Sequence, residues 1–141
     1  MTTFDRAIGA PPNRVTSLTL AAVPRQLHVL RELTRLEAKQ LSLSHDVRAD
    51  LVLAVDEAAG TLVGLALSPR TLTCTFDITA GELFTAVISA TAQETLGYAT
   101  ESFEWFVLQT LVDGVTVDQS AHVGSENWSV QIVLDKVLRT V

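Results

Sequence analysis

The sequence predicts an α+β fold: a two-layer α/β sandwich with a mixed, mainly antiparallel sheet of about five strands and three helices on one face. Two pairs of short segments that alternate apolar and polar residues follow each other closely enough to form hairpins. Three longer segments repeat apolar residues at three- and four-residue steps, as amphipathic helices do. The predicted order is strand, helix, helix, strand, strand, helix, strand, strand.

The chain has 141 residues, which is the size of one domain with a substantial core. Its hydrophobic content of 48% argues against general disorder. We expect a flexible tail over residues 1–13, because this stretch ends in two prolines and an asparagine. A single domain is expected over residues 14–141.

The first predicted strand runs from Val15 to Ala22, where Thr16, Leu18 and Leu20 alternate with polar residues. Pro24 suits the first turn of a helix, since its missing N–H group is not needed there. The helix is predicted from Gln26 to about Leu41. Its apolar stripe consists of Leu27, Leu30, Leu33 and Leu36.

The second helix is predicted to begin at Ser44 or Asp46, either of which can cap free N–H groups. Apolar residues recur from Val47 to Leu65 on more than one side, so this helix is expected to lie against the sheet. The segment Ser68-Pro69-Arg70 is expected to end it.

Alternation predicts a strand from Leu72 to Ile78, a turn over Thr79–Glu82 and a returning strand from Leu83 to Ser89. An irregular stretch over residues 91–100 is expected before a third helix, capped by Ser102 and ending near Val112. The strands Val115–Val117 and Trp128–Leu134 are predicted to form the last hairpin.

Composition and charge exclude several classes of function. A net charge of -6 argues against nucleic-acid and anionic-membrane binding. No apolar run has the length of a membrane helix, and no secretory signal is evident, so a cytoplasmic protein is expected. The single cysteine, Cys74, excludes an intrachain disulfide, and its place among apolar strand residues indicates a buried structural thiol.

Most residues of catalytic type have simple structural explanations. Ser44, His45 and Asp46 are consecutive, so they cannot face one another as a triad does, and helix capping explains them better. No glycine-rich phosphate loop follows a strand. The acidic pair Asp56-Glu57, inside an apolar helix, leaves two interpretations open: a pair at the helix edge that reaches solvent, or a general base held on a rigid helix.

Two segments carry a resemblance to a known family. Residues 53–63, LAVDEAAGTLV, resemble the "A-V-x-E-A-x-x-N-x-V" helix of the anti-sigma-factor serine kinases, which belong to the histidine-kinase-like ATPases. Residues 103–115 resemble that family's last helix and its exit, "L-x-x-L-x-D-x-V". The chain is most similar in these features to the actinobacterial stress-response anti-sigma factors. The resemblance implies the histidine-kinase-like ATPase fold, with Glu57 at the position of the catalytic base.

Other positions depart from the family pattern in ways that bear on ATP. Thr61 stands where the family has the Mg²⁺-binding asparagine, and it offers a shorter side chain. Ser89, Thr91 and Gln93 take the places of the adenine-binding aspartate and two glycines. A second glycine-rich box is missing before Phe103. We therefore expect a degenerate nucleotide site without a bound cofactor, and Glu57 as a remnant of ancestry.

The resemblance implies a regulator that binds a sigma factor and is countered by an antagonist protein, and it implies a homodimer. Arg31 is the expected partner-binding residue, with an ordinary solvent-facing arginine as the alternative. A working serine kinase, with Glu57 as base, Thr61 assisting Mg²⁺ and ATP as substrate, is the second hypothesis. A non-catalytic dimerisation partner of an active kinase is the third.

Overall fold

The computed structural model describes residues 13–41, 43–67 and 71–138. The predicted tail, apart from Asn13, and the predicted helix end at Ser68-Pro69-Arg70 lie outside the described residues. Asn13 accepts a hydrogen bond from the backbone N–H of Ala80 at 2.8 Å, so this residue is attached to the turn of the first hairpin.

Five strands form one sheet, and all four pairings between them are antiparallel. The prediction of a mainly antiparallel sheet is therefore confirmed, without a parallel component among these strands. The sheet order is β1-β2-β3-β5-β4. The strands are β1 (Arg14–Ala21), β2 (Thr71–Thr79), β3 (Leu83–Ala92), β4 (Gly114–Ala121) and β5 (Trp128–Val137).

Three strands are longer than the alternation alone predicts. β3 continues past Ser89 to Ala92, where Ala92 pairs with Trp128 of β5 and also bridges to Ala66. Thr91 therefore belongs to the strand, and the prediction of irregular structure from this residue onward is wrong at its first two positions. β4 and β5 extend each other in the same way, because each residue added to one finds a hydrogen-bonding partner in the other.

The β2–β3 turn places a non-glycine residue in the left-handed region. Ala80 has φ 52° and Gly81 has φ 67°, and the N–H of Glu82 bonds to the carbonyl of Thr79 at 2.9 Å. A left-handed conformation costs an L-residue about 1–2 kcal/mol. The hydrogen bond from Ala80 to Asn13 offsets part of this cost.

Three α-helices follow the predicted segments: α1 (Leu27–Lys39), α2 (His45–Val63) and α3 (Phe103–Leu111). Ser44 caps α2 by accepting from the N–H of Val47, and Ser102 caps α3 by accepting from the N–H of Trp105, as the sequence predicts. Short 3₁₀ helices at Pro24–Gln26 and Gly97–Glu101 lead into α1 and α3.

The core lies between the sheet and the helices. On β2 the residues Leu72, Cys74, Phe76 and Ile78 are buried, and their neighbours between them are less so. β3 repeats the pattern with Phe84, Ala86, Ile88, Ala90 and Ala92. α2 packs between α1 and α3 and contacts three strands. The predicted two-layer α+β arrangement is thus present.

The opposite face of the sheet is polar and rich in hydroxyl groups. The hydroxyls of Ser17 and Thr75 are 3.1 Å apart, and those of Thr19 and Thr73 are 3.2 Å apart. Thr85 donates to Asp135 at 2.8 Å on the same face. These cross-strand pairs stabilise the sheet while leaving no large apolar surface on this side.

Phe76 tests how much of the stability comes from the core. This side chain is fully buried and packs against Phe84, with ring centroids 5.7 Å apart. We expect Phe76→Ala to lower the free energy of unfolding by about 3–5 kcal/mol, because it leaves a cavity. The matched control is Phe106→Ala, since Phe106 is 61% exposed and should change stability by less than about 1 kcal/mol. Urea unfolding at low protein concentration measures both; equal losses would contradict the assignment of the core.

Candidate functional site

A groove of about 530 Å³ lies between α1 and α2. Its apolar surface comes from Leu36 of α1 and from Ala49, Val52 and Leu53 of α2. Leu36 is 57% exposed and Leu53 is 44% exposed, so the groove opens to solvent. A concave surface with an apolar floor is the common form of a binding site.

The rim of this groove is basic. Arg31, Arg35 and Lys39 line it from α1 and Arg48 lines it from α2, whereas only Glu32 and Asp56 supply carboxylates. The whole chain carries a net charge of -6, so the groove has the opposite sign from the rest of the protein. Such a site attracts acidic ligands or acidic segments of other proteins.

Arg31 and Asp56 form an ion pair across the α1–α2 interface. The Nε atom of Arg31 donates to Oδ1 of Asp56 at 2.8 Å. Both side chains are partly exposed, at 39% and 28%, so the pair lies at the edge of the interface. Of the two interpretations of the Asp56-Glu57 pair, the edge position describes Asp56, and the ion pair compensates its partial burial.

The remaining cations of the rim differ in how far they are neutralised. Arg35 is paired with Glu32 one turn before it on α1. Lys39 and Arg48 have no ion-pair partner within residues 13–41, 43–67 and 71–138. These two side chains therefore supply the uncompensated positive charge of the groove.

Glu57 and Thr61 lie on α2 with partly exposed side chains. The hydroxyl of Thr61 donates to the backbone carbonyl of Glu57 at 3.0 Å. This bond is the usual way in which a threonine inside a helix satisfies its own proton. Both residues remain partly accessible, but the Thr61 hydroxyl is directed to its own helix.

Ser89 and Thr91 lie on the other side of the sheet from α2. The register pairs Ser89 with Thr73 and Gln131, which belong to the polar face. The side of β3 that faces the helices carries Ala90 and Ala92 at this level, whose methyl groups make no hydrogen bonds. Gln93 is exposed just beyond the end of the strand. The structure thus does not bring Ser89 and Thr91 together with Glu57 and Thr61.

Sequence reasoning singled out Arg31 but missed the groove to which it belongs. The available signal is the four-residue spacing of Arg31, Arg35 and Lys39, which places all three on one side of α1. The contribution of Arg48 depends on how α1 packs against α2. That geometry cannot be derived from the periodicity of either helix alone.

Cys74 is buried on β2, as the strand alternation predicts. Burial raises the pKa of its thiol from 9.0 to about 12. A thiol in this state is not a nucleophile at neutral pH.

Wider searches leave the groove as the principal candidate. Among the described residues there is no group of three or more histidine, cysteine, aspartate or glutamate side chains that could hold a metal ion. Within the same ranges, none of the helices has the length and apolarity needed to span a bilayer. No protein-family model and no curated protein matches the chain.

The Arg31–Asp56 pair should couple the two helices measurably. A double-mutant cycle with Arg31→Gln and Asp56→Asn is expected to give an interaction energy of about 0.5–1 kcal/mol, because both groups remain partly exposed. Added salt should reduce it. The exposed Arg35–Glu32 pair on one helix is the control and should give a smaller value, since it joins no second element. A zero coupling for Arg31–Asp56 would contradict the described geometry.

Proposed function

We propose that this chain is an anti-sigma factor, or a close regulatory relative, that binds a sigma factor without transferring phosphate. The observation that carries the proposal is the basic, apolar-floored groove between α1 and α2, with Arg31 at its rim. The resemblance places the partner-binding arginine on the first helix, and the groove gives that helix a surface able to hold a segment of another protein.

The chemistry of the groove supports a protein partner. A helix or loop with apolar side chains can bury them against Leu36, Val52 and Leu53, while its carboxylates approach Lys39 and Arg48. Apolar burial supplies affinity, and the charges supply orientation and a faster encounter. An antagonist that countered such binding would compete for the same groove.

The candidate nucleotide positions support binding in preference to catalysis. ATP and Mg²⁺ would need a converging set of polar groups near Glu57, yet Ser89 and Thr91 lie on the far face of the sheet. Ala90 and Ala92 stand on the near face. The histidine-kinase-like ATPase fold remains part of this proposal, with its catalytic use lost.

A titration against purified bacterial alternative sigma factors tests the proposed activity. We expect at least one to bind, and Lys39→Glu combined with Arg48→Glu to weaken that binding about tenfold or more, because attraction becomes repulsion. Arg25→Glu is the control, since Arg25 is exposed outside the groove and undergoes the same change of charge. Absence of binding to any sigma factor, or equal losses for the control, would refute the proposal.

Calorimetry with Mg·ATP separates the binding protein from the kinase. We expect no binding at micromolar strength, since no convergent set of side chains meets the phosphates and base. Glu57→Gln should leave sigma-factor binding within about twofold of the wild type, because the substitution conserves shape and lies outside the groove lining. Micromolar Mg·ATP binding, together with phosphorylation of an antagonist that Glu57→Gln abolishes, would establish the kinase instead.

A further inference from the structure

The outer side of α3 exposes aromatic side chains. Phe103 and Phe106 lie three residues apart and are therefore neighbours on one side of the helix, at 75% and 61% exposure. Trp105 and Leu108 lie on its buried side. Tyr98, in the 3₁₀ helix that packs against α3, is 86% exposed. We call Tyr98, Phe103 and Phe106, with the exposed carboxylates Glu101 and Glu104, the α3 patch.

The α3 patch belongs to a strongly acidic half of the chain. Residues 71–135 contain nine aspartate and glutamate residues and no lysine or arginine. The groove between α1 and α2 instead carries Arg31, Arg35, Lys39 and Arg48. The molecule therefore presents an acidic aromatic surface and a basic apolar groove, which are complementary in both charge and hydrophobicity.

The two surfaces lie on the same helix layer. α2 packs between α1 and α3, so the groove is on one side of α2 and the α3 patch is on the other. One two-fold rotation that faces two such layers brings each α3 onto the partner's groove, and both contacts form together. Two surfaces on opposite layers of the molecule would not close in this way and would build open chains.

We propose that two copies of this chain pair through their helix layers, with the α3 patch of each copy seated in the α1–α2 groove of the other. Phe103 and Phe106 contact Leu36 and Leu53, and Glu101 and Glu104 approach Lys39 and Arg48. The three aromatic side chains alone expose on the order of 400 Å² per copy. A standard interface needs about 800 Å² per partner, which the groove, the remaining patch and their rims complete.

This pairing has a regulatory consequence that goes beyond the proposed function. The α3 patch occupies the groove in which a protein partner would bind, so partner binding and self-pairing exclude each other. A partner must therefore displace the second copy, and its apparent affinity falls as the concentration of the chain rises.

Sedimentation velocity of the purified chain, with no other protein present, tests the pairing. The wild type should dimerise reversibly at tens of micromolar. The groove variant Lys39→Glu with Arg48→Glu, and the patch variant Glu101→Lys with Glu104→Lys, should each weaken dimerisation about tenfold or more. An equimolar mixture of the two variants should restore the dimer, because each inverted groove then meets an inverted patch in both contacts.

Controls separate the interface from general effects of charge and folding. Arg25→Glu and Glu126→Lys, both exposed outside the two surfaces, should dimerise as the wild type does. Circular dichroism verifies that each variant folds, and Phe103→Ala with Phe106→Ala provides a loss of contact that changes no charge. A wild type that stays monomeric, variants that dimerise normally, or variants that do not recombine in the mixture would each overturn the proposal.

The same variants distinguish this proposal from the proposed function. The patch variant keeps an intact groove, so it should bind a sigma factor at least as well as the wild type does. Normal dimerisation behaviour without any sigma-factor binding would leave the pairing standing and refute the function. Sigma-factor binding by a chain that never dimerises would do the reverse.

Discussion

The packing of α2 on three sides is the constraint on which the rest of the structure depends. This helix contacts the sheet, α1 and α3, and buries residues around most of its circumference. Small side chains at Ala54, Ala58 and Ala59 allow its neighbours to approach closely. Only one strip, which includes Val52, Leu53 and Asp56, remains outside these contacts, and this strip forms one wall of the groove.

The ion pair between Asp56 and Arg31 follows from the same constraint. A carboxylate on a largely buried helix needs a partner or solvent, and Asp56 has both because it lies at the edge of the α1–α2 contact. The pair fixes Arg31 beside the groove. Lys39 and Arg48, further along, carry the charge that an acidic segment can meet.

The sheet contributes to function by leaving the helix layer as the place where binding energy is available. Its second face is covered with threonine and serine side chains that bond to one another across strands. Polar groups already paired in this way offer little net gain to a ligand. The helix layer instead exposes leucine and phenylalanine side chains beside charged ones, so burial there releases more free energy.

Much of the fold is predictable from periodicity. Alternation at Leu72–Ile78 and the leucine spacing of α1 both report which side of an element is buried, and the caps at Ser44 and Ser102 are local signals. The ends of β3, β4 and β5 were harder to predict, because they depend on neighbouring strands.

The candidate site was predictable only in part. Arg31 can be found from a resemblance, but its ion pair with Asp56 joins residues 25 positions apart. The positions of Ser89 and Thr91 relative to Glu57 depend on the side of the sheet to which each strand residue points. A one-residue shift in register reverses that side, so a motif alignment alone cannot fix it.

Hydrogen–deuterium exchange of the chain bound to a sigma factor tests the central claim, that the α1–α2 groove is the working surface, most directly. The account predicts that binding slows exchange in α1 and in the first half of α2, with little change in β2 and β3. Slowed exchange confined to the C-terminal end of α2 and to β3 around Ser89–Ala92, with α1 unchanged, would contradict it and would place the working surface at the ancestral nucleotide positions.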